Sequence, residues 1–192
     1  HLNNLNNVLS SCECNDYQVL PSSVAMAETL LNADEKQAGA LLLDLGETSA
    51  SALMYHKGAL VDGWELGWGM NTLTEAVADL LQNDTETARE ILREYEPGSD
   101  DIMDEVMEDA AKKLLTDVKK ELLQSLLYLK YPSSHLVLCG AGADKTLLKT
   151  AKKVFGARKA RIASFENLIA DCPADHPAYS GALALIRHAL DR

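Results

Sequence analysis

The sequence predicts an α/β domain built on a mixed sheet and interrupted by a helical insertion. Three observations carry this expectation: three strand-like runs in close succession, a block of helical periodicity after them, and a return to strand, helix, strand and helix at the end. Leu2, Leu5, Val8 and Leu9 recur at helical spacing and predict a short amphipathic helix, frayed because its asparagines are weak helix formers. The run from Tyr17 to Pro21 reads as a short strand. Pro21-Ser22-Ser23 then opens a helix whose apolar members include Val24, Ala25, Ala27, Leu30 and Leu31.

Ala40 to Leu45 is a continuous apolar run broken by one acid, the pattern of a strand buried on both faces, and Gly46-Glu47-Thr48-Ser49 ends it. Ser51–His56 and Ala59–Leu66 flank Lys57-Gly58, a connection of the kind that joins hairpin strands. Past the glycine-punctuated loop Gly67–Asn71, Asn71 or Thr72 is placed to cap a helix with Leu73, Val77, Leu80 and Leu81 on one face. A further helix is expected from Asp84 or Thr85 to about Tyr95. Apolar spacing then predicts one long helix from Asp101 to about Tyr131. His135–Cys139 returns to strand, a helix with Leu147, Leu148, Ala151 and Val154 inward closes at Gly156, Ala160–Ala163 is a short strand, and the last helix opens near Pro177.

Composition narrows the class of function. Eighteen Lys and Arg against 29 Asp and Glu give a net charge of −11, which opposes general attraction to nucleic acid or an anionic membrane. Four cysteines, Cys12, Cys14, Cys139 and Cys172, are too few and too irregular for a disulfide-stapled module or a zinc site, so a reducing cytoplasm is expected. No apolar run reaches the roughly 18 residues of a membrane span. The chain opens on His1 and a polar segment, so it is expected to start inside a longer protein.

Two segments could carry chemistry. Leu43-Asp44-Leu45-Gly46-Glu47-Thr48-Ser49 puts an acid at the end of a buried strand, followed by backbone N–H groups and hydroxyls that suit a phosphate; the acid suits Mg²⁺ held through water. An acid and hydroxyls that merely satisfy a turn are an equally frequent outcome. Val137-Leu-Cys-Gly-Ala-Gly142 ahead of a helix lets a flat ring or a phosphate approach the backbone, although a tight connection alone explains most such turns. It lacks both the dinucleotide fingerprint and the P-loop lysine. Of the remaining residues, Trp64 and Trp68 are expected to pack the insertion onto the sheet, His56 and His135 to be surface or satisfied histidines, Cys139 to be a buried small hydrophobe without an acid near it in sequence, and Lys145–Arg161 to be a solvated helix face. The acidic stretch from Asp84 to Asp109 is the surface best suited to a basic partner.

The order and spacing of both segments together resemble the FtsA/PilM branch of the actin-like ATPase superfamily, which also contains heat-shock chaperone ATPases and sugar kinases. ALLLDLGETSASALMYHKGALVDGWELGWGMNTLTEAVADLL looks like the family's second phosphate loop, its hairpin and the turn into the inserted subdomain. NDTETAREILREY resembles the next helix of the insertion, HLVLCGAGADKTLLKTAKKVFG the adenosine motif, and PAYSGALALI the closing helix. The resemblance implies an actin-like, ribonuclease H-like sheet and the second, C-terminal lobe only, with 1–69 and 133–192 as its α/β core and 70–132 as the helical insertion. It implies Asp44, Gly46, Thr48 and Ser49 against the phosphates of ATP, Asp44 toward Mg²⁺ through water, and Gly140, Ala141 and Gly142 against the adenosine.

No catalytic residue is expected in this half of a site, and little or no hydrolysis from the chain alone. The family expectation is a cytoplasmic scaffold of the PilM type, peripheral to the inner membrane and serving type IV pilus assembly or related secretion, with protein partners and a capacity for self-association. The alternatives are an FtsA-type protein tethering the division ring, a nucleotide-independent interaction module, and a small-molecule kinase that would need a base from another lobe. Two departures favour the nucleotide-independent reading. Glu47 stands where the family has a small residue or glycine, and Gly140-Ala141 where it has a glycine pair; a carboxylate beside polyphosphate repels it unless it points away.

Overall fold

The computed structural model describes residues 2–13, 19–164 and 180–190. Helices α1 (Leu2–Ser11), α2 (Ser22–Leu30) and α3 (Ala33–Ala38) precede the hairpin strands β1 (Ala40–Leu45), β2 (Ala50–His56) and β3 (Ala59–Leu66). Four helices follow: α4 (Met70–Leu81), α5 (Thr85–Glu94), α6 (Asp101–Leu122) and α7 (Leu126–Lys130). The chain then returns through β4 (His135–Cys139), α8 (Lys145–Phe155), β5 (Lys159–Ile162) and α9 (Ser180–Leu190). The strands form one sheet in the order β3-β2-β1-β4-β5, antiparallel between β1, β2 and β3 and parallel between β1, β4 and β5.

β1 shows why its sequence is apolar throughout. Leu41, Leu43 and Leu45 face a core with Leu73 and Val77 of α4, Leu114, Leu115 and Val118 of α6, and Leu147 of α8. Ala40 and Leu42 face a second core with Ala25, Met26 and Leu30 of α2 and Leu183 of α9. A central strand covered on both faces has no position left for a solvated residue. The hairpin connection is as tight as its sequence predicts, with Lys57 at φ 52° and Gly58 at φ 81°.

Several boundaries differ from the sequence reading, each for a local reason. Asn32 caps α3 in a reciprocal box, its side chain accepting from Glu35 N–H and Glu35 accepting from Asn32 N–H, so the polar stretch before Gly39, to which the sequence assigns no element, is a short helix. α4 begins at Met70, ahead of both Asn71 and Thr72, because Met70 and Asn71 donate their N–H groups to Gly46 and Glu47 at 3.0 and 2.9 Å and are held to the β1–β2 turn. Leu80 of α4 is 50% exposed, off the buried face assigned to it.

The single long helix is two. α6 stops at Leu122, Ser125 adopts an extended backbone, accepts from Tyr128 N–H and bonds Asp62 of β3, and α7 starts afresh. Apolar spacing hides this break because Leu126 and Leu129 keep the phase, yet they are 82% and 59% exposed. β5 starts one residue early, at Lys159. Val19 and Leu20 are not in a strand. Cys14, Tyr17, Cys172 and the expected helix start at Pro177 lie outside the described residues.

The residues given a structural reading mostly behave so. Trp68 Nε1 donates to Glu121 of α6 at 2.9 Å, and the Trp64 ring meets Tyr128 edge-on at 6.1 Å, so both indoles fasten the helical block to β3 and its outgoing loop. The Lys145–Arg161 cations are not simply a solvated face. Lys149 and Lys153 both pair with Glu108 of α6, and Arg161 of β5 pairs with Glu35.

Candidate functional site

The parallel register of β1 and β4 places Asp44 opposite Cys139, so the two strands end level and their outgoing turns lie side by side. The turns touch. Gly142 N–H donates to Leu45 carbonyl at 3.0 Å. Gly140 has φ 87°, and a Cβ there would stand 2.6 Å from Leu45 carbonyl oxygen, 2.7 Å from Leu45 N and closer still to the Asp44 carboxylate. Only glycine fits, both for the backbone angle and for the room. A Cβ on Gly142 would run into Met70, whose side chain occupies that side of the turn.

The turn after β1 is closed by Gly46 N–H donating to Ser49 carbonyl at 3.1 Å. Gly69 backs onto it: a Cβ there would meet Glu47 carbonyl oxygen at 2.5 Å and Ser49 N at 2.7 Å. Gly69 and Met70, which the sequence places in a loop, are thus structural parts of the site. The signal was the glycine spacing in Gly67-Trp68-Gly69. Thr48 and Ser49 are exposed, and their hydroxyls make no hydrogen bond among the described residues, leaving short donors on an open turn. Glu47 and Ala141 are exposed as well.

Asp44 is the acid between these turns. Burial pushes its carboxyl above the ordinary range, the neighbouring charge of Glu65 pushes it further, and the nearby Cys139 thiol, which donates to Leu43 carbonyl at 3.6 Å, opposes both. Glu65 reaches this position through the sheet: Asp44 pairs with Ser51, and Ser51 pairs with Glu65 on β3. Between the two acids, Ser51 is 6% exposed and its hydroxyl has no partner among the described residues. The acid absent near Cys139 in sequence is therefore Asp44, supplied by the adjacent strand. The thiol itself is pushed well up by burial and by that carboxylate, so it is an unreactive hydrophobe. Asp144 caps α8 through Leu147 N–H at 2.7 Å, and burial raises its carboxyl too.

The arrangement suits an anion held by backbone and hydroxyl donors, with a divalent cation at the buried acid. A cation there would reverse the unfavourable pairing of Asp44 with Glu65, and cation binding would compete with protons at Asp44. The two glycines on the adjoining turn instead let Asp44, Leu45 and Met70 pack directly against its backbone.

The mixed five-stranded sheet, its flanking helices and the paired strand-end turns together make up an actin-like fold. No family model matches the sequence. Solved structures do match. The PilM–PilN type IV pilus biogenesis complex superposes at a TM-score of 0.63 with 22% identity, over 88% of this chain and 52% of that one. MreB 5 of Spiroplasma citri bound to AMPPNP superposes at 0.64 with 15% identity, over 98% of this chain and 66% of that one. The ethanolamine utilization protein EutJ from Carboxydothermus hydrogenoformans gives 0.60 with 16% identity, over 86% and 53%. The chain therefore spans about half to two thirds of the length of these structures, the extent of a single lobe, and shares their fold.

Proposed function

We propose that the chain is the nucleotide-binding lobe of a cytoplasmic actin-like scaffold of the PilM type, acting in type IV pilus assembly or related secretion at the inner membrane. The observation that carries this reading is the contact of the Asp44 turn with the Gly140 turn, which supplies one wall of a nucleotide cleft. Gly46, Thr48 and Ser49 hold the phosphates, Asp44 holds Mg²⁺ through water, and Gly140, Ala141 and Gly142 flank the adenosine. The likeness to PilM, solved with a protein partner, supports the branch. Another lobe supplies the opposite wall, so hydrolysis by this chain alone is negligible.

Calorimetry of the intact protein with Mg-ATP tests this. Asp44→Ala is expected to weaken Mg-nucleotide binding roughly tenfold or more, the scale of losing one metal-orienting carboxylate, while the melting point holds. Wild-type affinity should fall as pH falls, because protons compete for Asp44. Unchanged affinity in the variant removes its role.

The segment 70–132 is read as the insertion subdomain that meets partners. Among the described residues no helix is long and apolar enough to cross a membrane, so membrane attachment through partners fits this reading. Glu90, Glu94 and Asp101 are exposed on α5 and α6 without ion pairs among the described residues. Reversing their charges should weaken binding of a basic partner about tenfold through slower association, with thermal stability unchanged; an indifferent partner affinity sinks the acidic face. The same face would serve the division ring in an FtsA-type protein, and the partner recovered distinguishes the two. Exposed Glu47 and Ala141 favour one further reading, a nucleotide-independent module, which an absence of heat at millimolar Mg-ATP would select.

A further inference from the structure

A cavity of roughly 310 Å³ opens at the starts of β1 and β4, the end of the sheet opposite the Asp44 and Gly140 turns. Its lining is mixed: Leu41, Leu129, Leu136 and Phe155 are apolar, Tyr128 and His135 carry polar tips, and the Ser133 hydroxyl is shielded from solvent with no hydrogen-bond partner among the described residues. None of its lining residues is acidic. The rim carries Leu126 and Leu129, 82% and 59% exposed, so the apolar surface continues outward over α7. Next in sequence to its lining residues stand Lys130, whose ammonium lies 5.2 Å from the centre of the Tyr131 ring, and the exposed Arg158, neither of them in an ion pair among the described residues. In a chain of net charge −11, the lining and its two flanking cations carry no carboxylate, although Asp34 and Glu35 line the neighbouring cavity.

We propose that this cavity is a docking site for an acidic peptide segment of a protein partner, which inserts one bulky apolar side chain. Two features select that occupant. The cavity is large enough for an aromatic or leucine side chain and too small for a helix, so it takes a single anchor. The unpaired cations at the rim favour carboxylates flanking that anchor and speed its arrival. The site is separate from the nucleotide turns and from the acidic face of α5 and α6, so it stands whether or not either of those readings does.

The test is fluorescence anisotropy on the intact protein with a fluorescein-labelled peptide carrying one central phenylalanine between glutamates and aspartates. Saturable binding is expected, weakening as salt rises. Arg158→Glu should weaken it roughly tenfold and Leu129→Ala roughly fivefold, sizes typical of a rim charge and an anchor contact. Both residues are exposed, so the variants should keep the wild-type melting point. A peptide with serine in place of phenylalanine should not bind, and a benzoylphenylalanine version should crosslink within residues 126–136. No saturation at millimolar peptide, equal affinity for the serine peptide, or crosslinks elsewhere overturns the proposal. So does a self-association in sedimentation that Arg158→Glu disperses while the peptide fails to bind, because the occupant is then a second copy.

Discussion

Gly140→Ala is expected to cost on the order of 3 kcal/mol of stability, from a left-handed backbone forced on an L side chain and from overlap with atoms that cannot retreat. Those atoms are the Leu45 backbone and the Asp44 carboxylate, which belong to the strand the turn rests on. For a chain of 192 residues such a loss corresponds to a fall in melting temperature of about 6 to 12 °C. Gly67→Ala is the internal control. Nothing lies within 4 Å of a Cβ at that position, so the change should stay within about 0.5 kcal/mol. Thermal unfolding of both variants decides the matter: equal melting points would mean that the β1 and β4 turns are not in contact, and the proposed cleft wall would fall with them.

The second large effect is at Arg161. Its guanidinium bonds Glu35 through Nε and Nη2, each at 2.7 Å, and Nη2 also donates to Leu30 carbonyl at 2.6 Å, tying β5 to α2 and α3. Glu35 is 5% exposed. Burial by itself would raise the Glu35 carboxyl, but hydrogen bonds from Arg161 and the Asn32 backbone, with the Arg161 charge, hold it below its ordinary range. Arg161→Met leaves that carboxylate buried with its main partner gone. The expected loss is about 2 to 3 kcal/mol at neutral pH, below the full penalty for a broken buried pair because the Arg161 side chain is 37% exposed.

The pH dependence gives a second readout with opposite signs. In the wild type, Glu35 binds protons less readily folded than unfolded, so its stabilisation is complete above the ordinary carboxylate pKa and disappears as pH falls through the lowered folded value. In Arg161→Met, burial dominates and Glu35 binds protons more readily folded than unfolded; acidification then relieves the penalty. The stability gap between the two proteins should therefore narrow from pH 7 toward pH 4 in urea titrations. A gap that stays constant across this range would show that Glu35 does not respond to Arg161.

Much of the fold was legible because its elements obey short-range rules. β3 and β4 match their sequence bounds, α5 begins after its Asp84 cap, and α8 ends at Gly156 in the left-handed conformation. These are decisions made by residues within one turn or one strand of each other. The failures share the opposite character. The break between α6 and α7 depends on Ser125 meeting Asp62, 63 positions away, and the early start of α4 depends on the β1–β2 turn accepting its first N–H groups. Periodicity contains neither partner.

The candidate site divides in the same way. Asp44, Gly46, Thr48, Ser49, Gly140, Ala141 and Gly142 could be selected from the sequence because an acid at a strand end and glycines before a helix are local signatures. Glu65 beside Asp44, the stranded hydroxyl of Ser51, the backing of the turn by Gly69, and Arg161 on Glu35 came only with the sheet. Amino-acid order by itself determined which segments become strands and helices and which turns carry glycine, since those follow from backbone sterics and the alternation of apolar residues. Tertiary structure alone decided which turns meet and which charges become partners, because strand register and helix packing bring together residues that the chain separates by as many as 155 positions.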